Sequence, residues 1–212
     1  MNYSRTLPSI VAAFVVLLTV LSSASAIAQV PAVSVINQSG GNTSANTFGW
    51  EFTVGPEAIT VLSLGFWDDG ADGLLESHEV GIWDLGSEVL MGSTTVAAGI
   101  ADPIDGAGWR YNSSLSAFEL SPNTTYVIGA QVNAFAEQVG FLAGPNATNI
   151  TPAAGIAAFV QGRFSSLSTF AFPNTPSGEG TYFGPNFLFL ETSVPADATS
   201  IGEVKSAFSS GS

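Results

Sequence analysis

The residues best suited to chemistry lie in one acidic, glycine-rich segment of the chain. Asp68, Asp72 and Glu79 have the spacing of acidic positions in the calcium-loop template D-x-[DN]-x-[DN]-G-x5-E. Gly73 occupies the glycine position of the template, and Gly70 stands at its third position, where an acid or amide is expected. Calcium takes roughly six to eight oxygen ligands, and a loop that turns at a glycine can supply carboxylates and a carbonyl together. The spacing therefore makes this segment a candidate calcium site.

The predicted ligand set combines four carboxylates with one backbone carbonyl. Its members are Asp68, Asp72, the carbonyl of Leu74, Glu76 and Glu79. The flanking residues alternate as strands rather than helices, so the loop is not part of an EF-hand. If His78 points inward on its strand, Glu79 points outward, away from a bound ion. The interpretation that we favour is an acidic hairpin turn in which Asp-Gly pairs supply the positive φ angles.

Charge density makes the same segment conspicuous. Residues 51–109 include eleven acids and neither Lys nor Arg, and seven of these acids lie within residues 68–88. Like charges at this density repel each other unless they are solvated or share a cation. Either calcium or full solvation would meet that requirement.

Two tryptophans flank the acidic segment and are candidate ligand-binding residues. Trp67 and Trp83 are out of phase with the apolar faces of their predicted strands, which is the pattern of outward-pointing side chains. An exposed indole offers a flat apolar surface on which a sugar ring can stack. We favour the alternative that both faces of the sheet are partly covered, in which case the phase of the alternation does not indicate exposure.

The sequence favours a non-enzyme. His78 is the one histidine, and no G-x-S-x-G elbow accompanies it, so a structural role in a strand is expected. Nothing in the spacing of Glu51, Glu76, Glu79 and Glu119 selects a glycosidase carboxylate pair. The absence of cysteine excludes a thiolate nucleophile and a Cys-based metal centre. The net charge of −13 argues against nucleic acid as a partner.

The pattern of short apolar runs predicts an all-β fold. Runs such as FGWEFTV (48–54), ITVLSLGFW (59–67) and TTYVIGAQV (124–132) alternate and are separated by Gly, Asn, Pro and Asp. We expect roughly nine to eleven strands in a single antiparallel β-sandwich or jelly roll. Trp50 shares its phase with Phe48 and Phe52 and is predicted to be in the core, as is the face that carries His78.

The N-terminus reads as a secretory signal over residues 1–28. Arg5 precedes a 12-residue apolar run at 10–21, and A-x-A cleavage sites end at Ala26 and Ala28. The run is shorter than the about 20 residues that a transmembrane helix needs. The predicted organisation is therefore a signal at 1–28, an N-terminal strand and loop at 29–45, the sandwich at 46–191, and a flexible tail at 192–212. After removal of the signal no stable membrane span is expected.

Several runs resemble a known domain family. GWEFTV (49–54), ITVLSLGFWD (59–68) and SHEVGIWD (77–84) resemble the DUF4082 domain, and TTYVIGA (124–130) is similar to a later strand of it. This is a domain of unknown function in bacterial exported proteins, many of which carry PEP-CTERM sorting tails. The resemblance implies a jelly-roll sandwich and no established catalytic residues. The tail departs from the PEP-CTERM pattern, because Ala196 and Asp197 follow Val194 and Pro195.

The sequence thus predicts a secreted, non-catalytic module that binds extracellular polysaccharide or a matrix component. A structural surface or matrix protein, stiffened by calcium at the acidic loop, is the alternative. A hydrolase that acts through acidic residues is the third hypothesis.

Overall fold

The computed structural model of the protein describes residues 28–42, 45–133, 138–143, 149–178 and 180–191. The predicted signal segment, apart from Ala28, and the predicted tail lie outside these residues. The strands are β1 (Ala28–Pro31), β2 (Val33–Val35), β3 (Ser39–Asn42), β4 (Asn46–Val54), β5 (Ile59–Trp67), β6 (His78–Asp84), β7 (Leu90–Val96), β8 (Trp109–Asn112), β9 (Phe118–Leu120), β10 (Thr125–Val132), β11 (Gln138–Ala143), β12 (Ile150–Pro152), β13 (Ile156–Ser165), β14 (Thr175–Pro176), β15 (Gly180–Tyr182) and β16 (Pro185–Glu191).

Two antiparallel sheets form the body of the protein. The larger has six strands in the order β14-β13-β4-β10-β6-β7. The other has the order β1-β16-β5-β8, and β9 also pairs with β5 to give five strands. Two smaller sheets have the orders β15-β11-β3 and β12-β2. The β1–β16 pairing joins the segment that follows the predicted signal to the edge of the five-stranded sheet.

The two main sheets pack face to face over an aromatic core. Trp50 on β4 stacks on Phe187 of β16 with ring centroids 6.2 Å apart, and Phe52 lies 5.1 Å from the same ring. The buried Trp50 indole donates to the Pro185 carbonyl at 2.8 Å, so its polar atom is satisfied inside the core. The predicted core positions of Phe48, Trp50 and Phe52 are confirmed by their burial.

The all-β prediction is confirmed, and the strand count exceeds the prediction. The described residues form sixteen strands rather than nine to eleven. The additional ones are pairings of two to four residues, such as β12 with Val33–Val35 and β14 with β13. Segments this short carry too few residues to show an alternating pattern. The jelly-roll connectivity stays a prediction.

Candidate functional site

The acidic segment between β5 and β6 is a turn closed by an internal ion pair. The Asp68 carboxylate is 2% exposed and accepts from the Gly73 backbone N–H at 3.0 Å. Its Oδ2 also accepts from Arg110 Nε at 2.7 Å. Positive φ angles occur at Gly70 (88°), Ala71 (60°) and Gly73 (114°), as a tight glycine-rich turn requires. The cation that neutralises Asp68 is therefore the guanidinium of Arg110.

The other predicted calcium ligands are not brought together. The Leu74 carbonyl accepts from the Gly99 N–H at 2.7 Å. The Glu76 carboxylate accepts from the Asn133 backbone at 2.8 Å and from its side-chain amide at 2.7 Å.

Asp72 and Glu79 are both exposed, and Glu79 lies on β6 opposite Thr95. Within the described ranges no group of three or more His, Cys, Asp or Glu residues could hold a metal ion. The predicted set of Asp68, Asp72, Leu74, Glu76 and Glu79 therefore does not converge, because three of the five oxygens already have competing partners within the chain and the other two residues face solvent.

Arg110 ties the acidic turn to the next loop. Its Nη1 donates to the Asp102 carbonyl at 3.0 Å. The Asp102 carboxylate in turn accepts from the Ala97 N–H at 2.7 Å and from Asn112 Nδ2 at 3.0 Å. One buried guanidinium thus joins two loops at the same end of the sandwich.

The hypothesis that Trp67 and Trp83 point outward as exposed platforms is wrong. Trp67 is 8% exposed and Trp83 is 4% exposed. A segment at 166–174, here called the strap, covers the outer face of the six-stranded sheet. Phe170 and Phe172 of the strap lie 4.9 and 6.3 Å from the Trp83 ring. The alternative that both faces of the sheet are covered is the one that the structure bears out for Trp83.

The strap is held down by a second buried ion pair. Arg163 Nη1 on β13 lies 2.6 Å from Glu51 Oε2 on β4, and both side chains are less than a tenth exposed. Arg163 Nε and Nη2 donate to the carbonyls of Pro173 and Asn174 at 2.8 and 3.0 Å. Gly129, which pairs with glycines on both neighbouring strands, leaves room for Pro173.

His78 lies in the core, as its phase predicted. Its ring is 0% exposed and stacks on Phe66 at 3.7 Å with an interplanar angle of 12°. Its Nδ1 is 3.0 Å from the Gln131 carbonyl. These contacts fix the imidazole between the two sheets and support the structural role.

Tyr111 on β8 carries a pH-dependent contribution to stability. Burial raises the pKa of the Tyr111 phenol well above its ordinary value, and the nearby Asp105 carboxylate raises that pKa further. In the unfolded chain the phenol ionises near pH 10 (a pKa of about 10), whereas the folded chain holds the proton to higher pH. The free energy of unfolding is therefore expected to fall as the pH rises above about 10, by up to ~1.4 kcal/mol per pH unit.

Replacing Tyr111 with Phe is expected to remove this alkaline slope. The check is the urea midpoint of both proteins at pH 8, 10 and 11. Equal losses of stability in the wild type and in Tyr111→Phe would contradict the assignment.

A polar cluster that the sequence did not reveal lies where β3 pairs with β11. Gly40 is directly opposite Gly140. A Cβ placed on Gly40 would meet Gln138 Oε1 and would lie 2.6 Å from Asp69 Oδ2. A Cβ on Gly140 would meet Gln38 Oε1. Since cross-strand partners direct their side-chain positions to the same face, the three oxygens gather over one glycine pair.

The cluster has an apolar border and an unsatisfied acceptor. The Trp67 ring lies 3.3 Å from the position that a Cβ of Gly140 would take. Gln38 Oε1 is buried and has no hydrogen-bond partner in the structure that is described. Only the chain pairing of β3 and β11, which are about a hundred residues apart, brings Gln38 and Gln138 together. No local motif could have indicated it.

Comparisons with known proteins add no family assignment. No protein-family model matches the chain, and no curated protein matches it. The resemblance to the DUF4082 domain stays a prediction. The described residues include no helix of the length and apolar character that a bilayer crossing requires.

Proposed function

We propose that the protein is a secreted, non-catalytic β-sandwich module that binds extracellular polysaccharide or another matrix component. The observation that carries the proposal is where the charged groups are placed. Both arginines in the described ranges are buried in ion pairs, with Asp68 and Glu51. Glu76 is held by Asn133. These acids support the architecture, whereas a hydrolytic carboxylate must face substrate and water.

Because the arginines are buried and several acids are exposed, the surface is anionic, and this disfavours anionic polymers as partners. Asp69, Asp72 and Glu79 are exposed, while the arginines are not. Such a surface repels nucleic acids and acidic polysaccharides at low ionic strength. A neutral polymer carries no such penalty and is the partner class that we propose.

A sedimentation assay tests the proposal. The chain, purified from culture medium after secretion, is mixed with insoluble cellulose, chitin or xylan, and separately with calcium-free pectate gel. We expect depletion from solution by at least one neutral polymer, none by pectate, and no release of reducing sugar. Binding to none of the neutral polymers would overturn polysaccharide binding. Release of sugar that one Glu→Gln change abolishes would overturn the non-catalytic assignment.

Secretion is tested on the same material. The signal pattern leads us to propose cleavage after Ala28, which leaves Gln29 as the first residue. Mass spectrometry of the intact secreted chain is expected to give the mass of residues 29–212. Retention of residues 10–21 would contradict cleavage.

A structural role in the cell surface or matrix is the second candidate. The burial of Trp67 and Trp83 favours it, because neither ring offers the exposed stacking surface predicted for sugar binding. This role predicts self-association of the purified chain in sedimentation velocity at low salt, whereas the polysaccharide-binding role predicts a monomer that binds polymer.

A further inference from the structure

We infer that the outer edge of β7 pairs with the β7 of a second copy of this chain, antiparallel and about a twofold axis. The two six-stranded sheets then join into one continuous sheet. The inference rests on the structural role, the second candidate above, and not on polysaccharide binding. It deepens that role by naming the surface through which two copies meet.

The first argument is that the outer edge of β7 is open to solvent. Among the described residues β7 forms a ladder with β6 alone and ends the six-stranded sheet. Gly92 and Thr94 lie on the inner face of the sheet, opposite the β6 residues Ile82 and Val80. Those two β6 residues are 0% exposed, whereas Gly92 and Thr94 are only half-buried. Solvent therefore reaches the side of β7 that faces away from β6.

The second argument is that the other described edges of the two main sheets are protected. β14, at the far end of the six-stranded sheet, has two residues, one of which is Pro176. β1 has four residues and ends at Pro31. β9 has three residues, and β8 is covered by the loop before it, since the Tyr111 N–H donates to the Pro103 carbonyl at 2.9 Å. Short strands, prolines and covering loops are the devices that prevent edge-to-edge pairing.

β7 lacks these protections over most of its length. Its seven residues, LMGSTTV, include no proline and no charged residue. A bulge next to Ile82 affects only the start of β7, and residues 92–96 pair regularly. The apolar side chains at this start are exposed, at 57% for Val89, 42% for Leu90 and 36% for Met91. An uncharged edge with exposed apolar side chains favours the addition of another strand.

Charge favours a second copy as the source of that strand. The chain has a net charge of −13, so most contacts between two copies bring acids together. Residues 89–101 contain no charged side chain, so two β7 strands meet without this repulsion. With Ser93 opposite itself, the Glu88 carboxylates of the two copies lie at opposite ends of the interface. Because the contact is isologous and covers both edges at once, assembly stops at a dimer.

Disulfide trapping tests the pairing, because the chain has no cysteine of its own. Ser93 is the midpoint of β7, so in Ser93→Cys the two thiols lie opposite each other. Copper–phenanthroline is expected to oxidise them to a disulfide-linked dimer. Thr151→Cys, at an exposed threonine of β12, is the matched control and should stay largely monomeric at the same concentration. Cross-linking of Ser93→Cys that is no faster than that of the control would overturn the inference.

Sedimentation velocity of the full secreted chain measures the same pairing without a cross-link. The wild type is expected to show a monomer–dimer equilibrium. Ser93→Lys should raise the dissociation constant at least about fivefold, because two lysines directly opposite each other repel. Thr151→Lys makes the same change in net charge away from β7 and should dimerise as the wild type does. Circular dichroism verifies that Ser93→Lys is folded, and if it is not, the cysteine variants still decide.

The outcomes separate the interface from the function. A wild type that self-associates, with both Ser93 variants behaving as their Thr151 controls, would reject the β7 interface and leave the structural role standing. A wild type that is a monomer at every concentration would reject the interface and the structural role and leave polysaccharide binding. If deletion of residues 192–212 turned that monomer into a dimer, the occupant of the β7 edge in the wild type would be the chain's own tail, and the inference would again fail.

Discussion

Replacing Arg110 with Met is expected to lower the free energy of unfolding by about 3 to 5 kcal/mol. The change removes the only cation in contact with the Asp68 carboxylate among the described residues, and that carboxylate is 2% exposed. It also leaves the Asp102 carbonyl without the donor that now lies 3.0 Å away. Because a domain of this kind has about 5 to 15 kcal/mol of stability in total, the loss is a large fraction of it.

Equilibrium urea unfolding followed by circular dichroism measures this loss. Combining Arg110→Met with Asp68→Asn is the control, since removal of both charges leaves no buried ion and the Asn oxygen can still accept from the Gly73 N–H. The double variant should be more stable than Arg110→Met alone. If the free energy of unfolding of Arg110→Met lies within about 1 kcal/mol of the wild-type value, Arg110 does not stabilise the buried Asp68 carboxylate. A difference of that size is what an exposed ion pair contributes.

The calcium hypothesis is tested with the same proteins. Three of the five predicted ligand oxygens already accept hydrogen bonds from the chain, at Asp68, Leu74 and Glu76. We therefore expect calcium chloride and EDTA to give the same midpoint for the wild type. A site held at 100 times its dissociation constant would instead add about 2.7 kcal/mol.

Some features of the acidic loop could be predicted from the sequence and others could not. Its turn character was predictable, because Asp-Gly pairs favour positive φ angles and the structure has them at Gly70 and Gly73. It was also predictable from the charge density that these acids need either solvation or a cation. The identity of that cation was not, because Arg110 is 42 residues from Asp68 and reaches it only through the pairing of β8 with β5. The calcium-loop template uses only neighbouring residues, so it pointed to calcium and could not indicate the distant Arg110 guanidinium.

In the sheets, too, the features set by local alternation could be predicted and those set by distant segments could not. Alternation predicted the inward faces of β4 and β6, including Trp50 and His78, because a strand directs every second side chain to one side. It could not predict the burial of Trp83, which depends on whether another segment lies over the outer face. That cover is the strap, whose Phe170 packs on Trp83 from 87 positions further along the chain.

Replacing Arg163 with Met is expected to lower the free energy of unfolding by about 3 to 5 kcal/mol, because a buried carboxylate again loses its cation. The change is also expected to loosen the strap. Among the residues that the structure describes, Glu51 would be left as a buried carboxylate with only the Gln161 amide as a donor, at 2.9 Å. The carbonyls of Pro173 and Asn174 would lose the donors that anchor the strap to β13. Loss of stability and exposure of Trp83 should therefore occur together.

Two measurements separate this result from general destabilisation. Acrylamide quenching of tryptophan fluorescence, recorded well below the unfolding midpoint, should increase in Arg163→Met. The increase should disappear when Trp83→Phe is added, since the three other tryptophans lie elsewhere in the core at 0 to 8% exposure.

Arg163→Lys should give an intermediate loss of stability, because a lysine keeps the charge but cannot donate to Glu51 and to two carbonyls in the same plane. Leu167→Ala, at an exposed strap position, is the matched control and should change neither readout. Unchanged quenching in Arg163→Met, at a stability close to that of the wild type, would show that the strap is held by its aromatic contacts with Trp83 rather than by the ion pair.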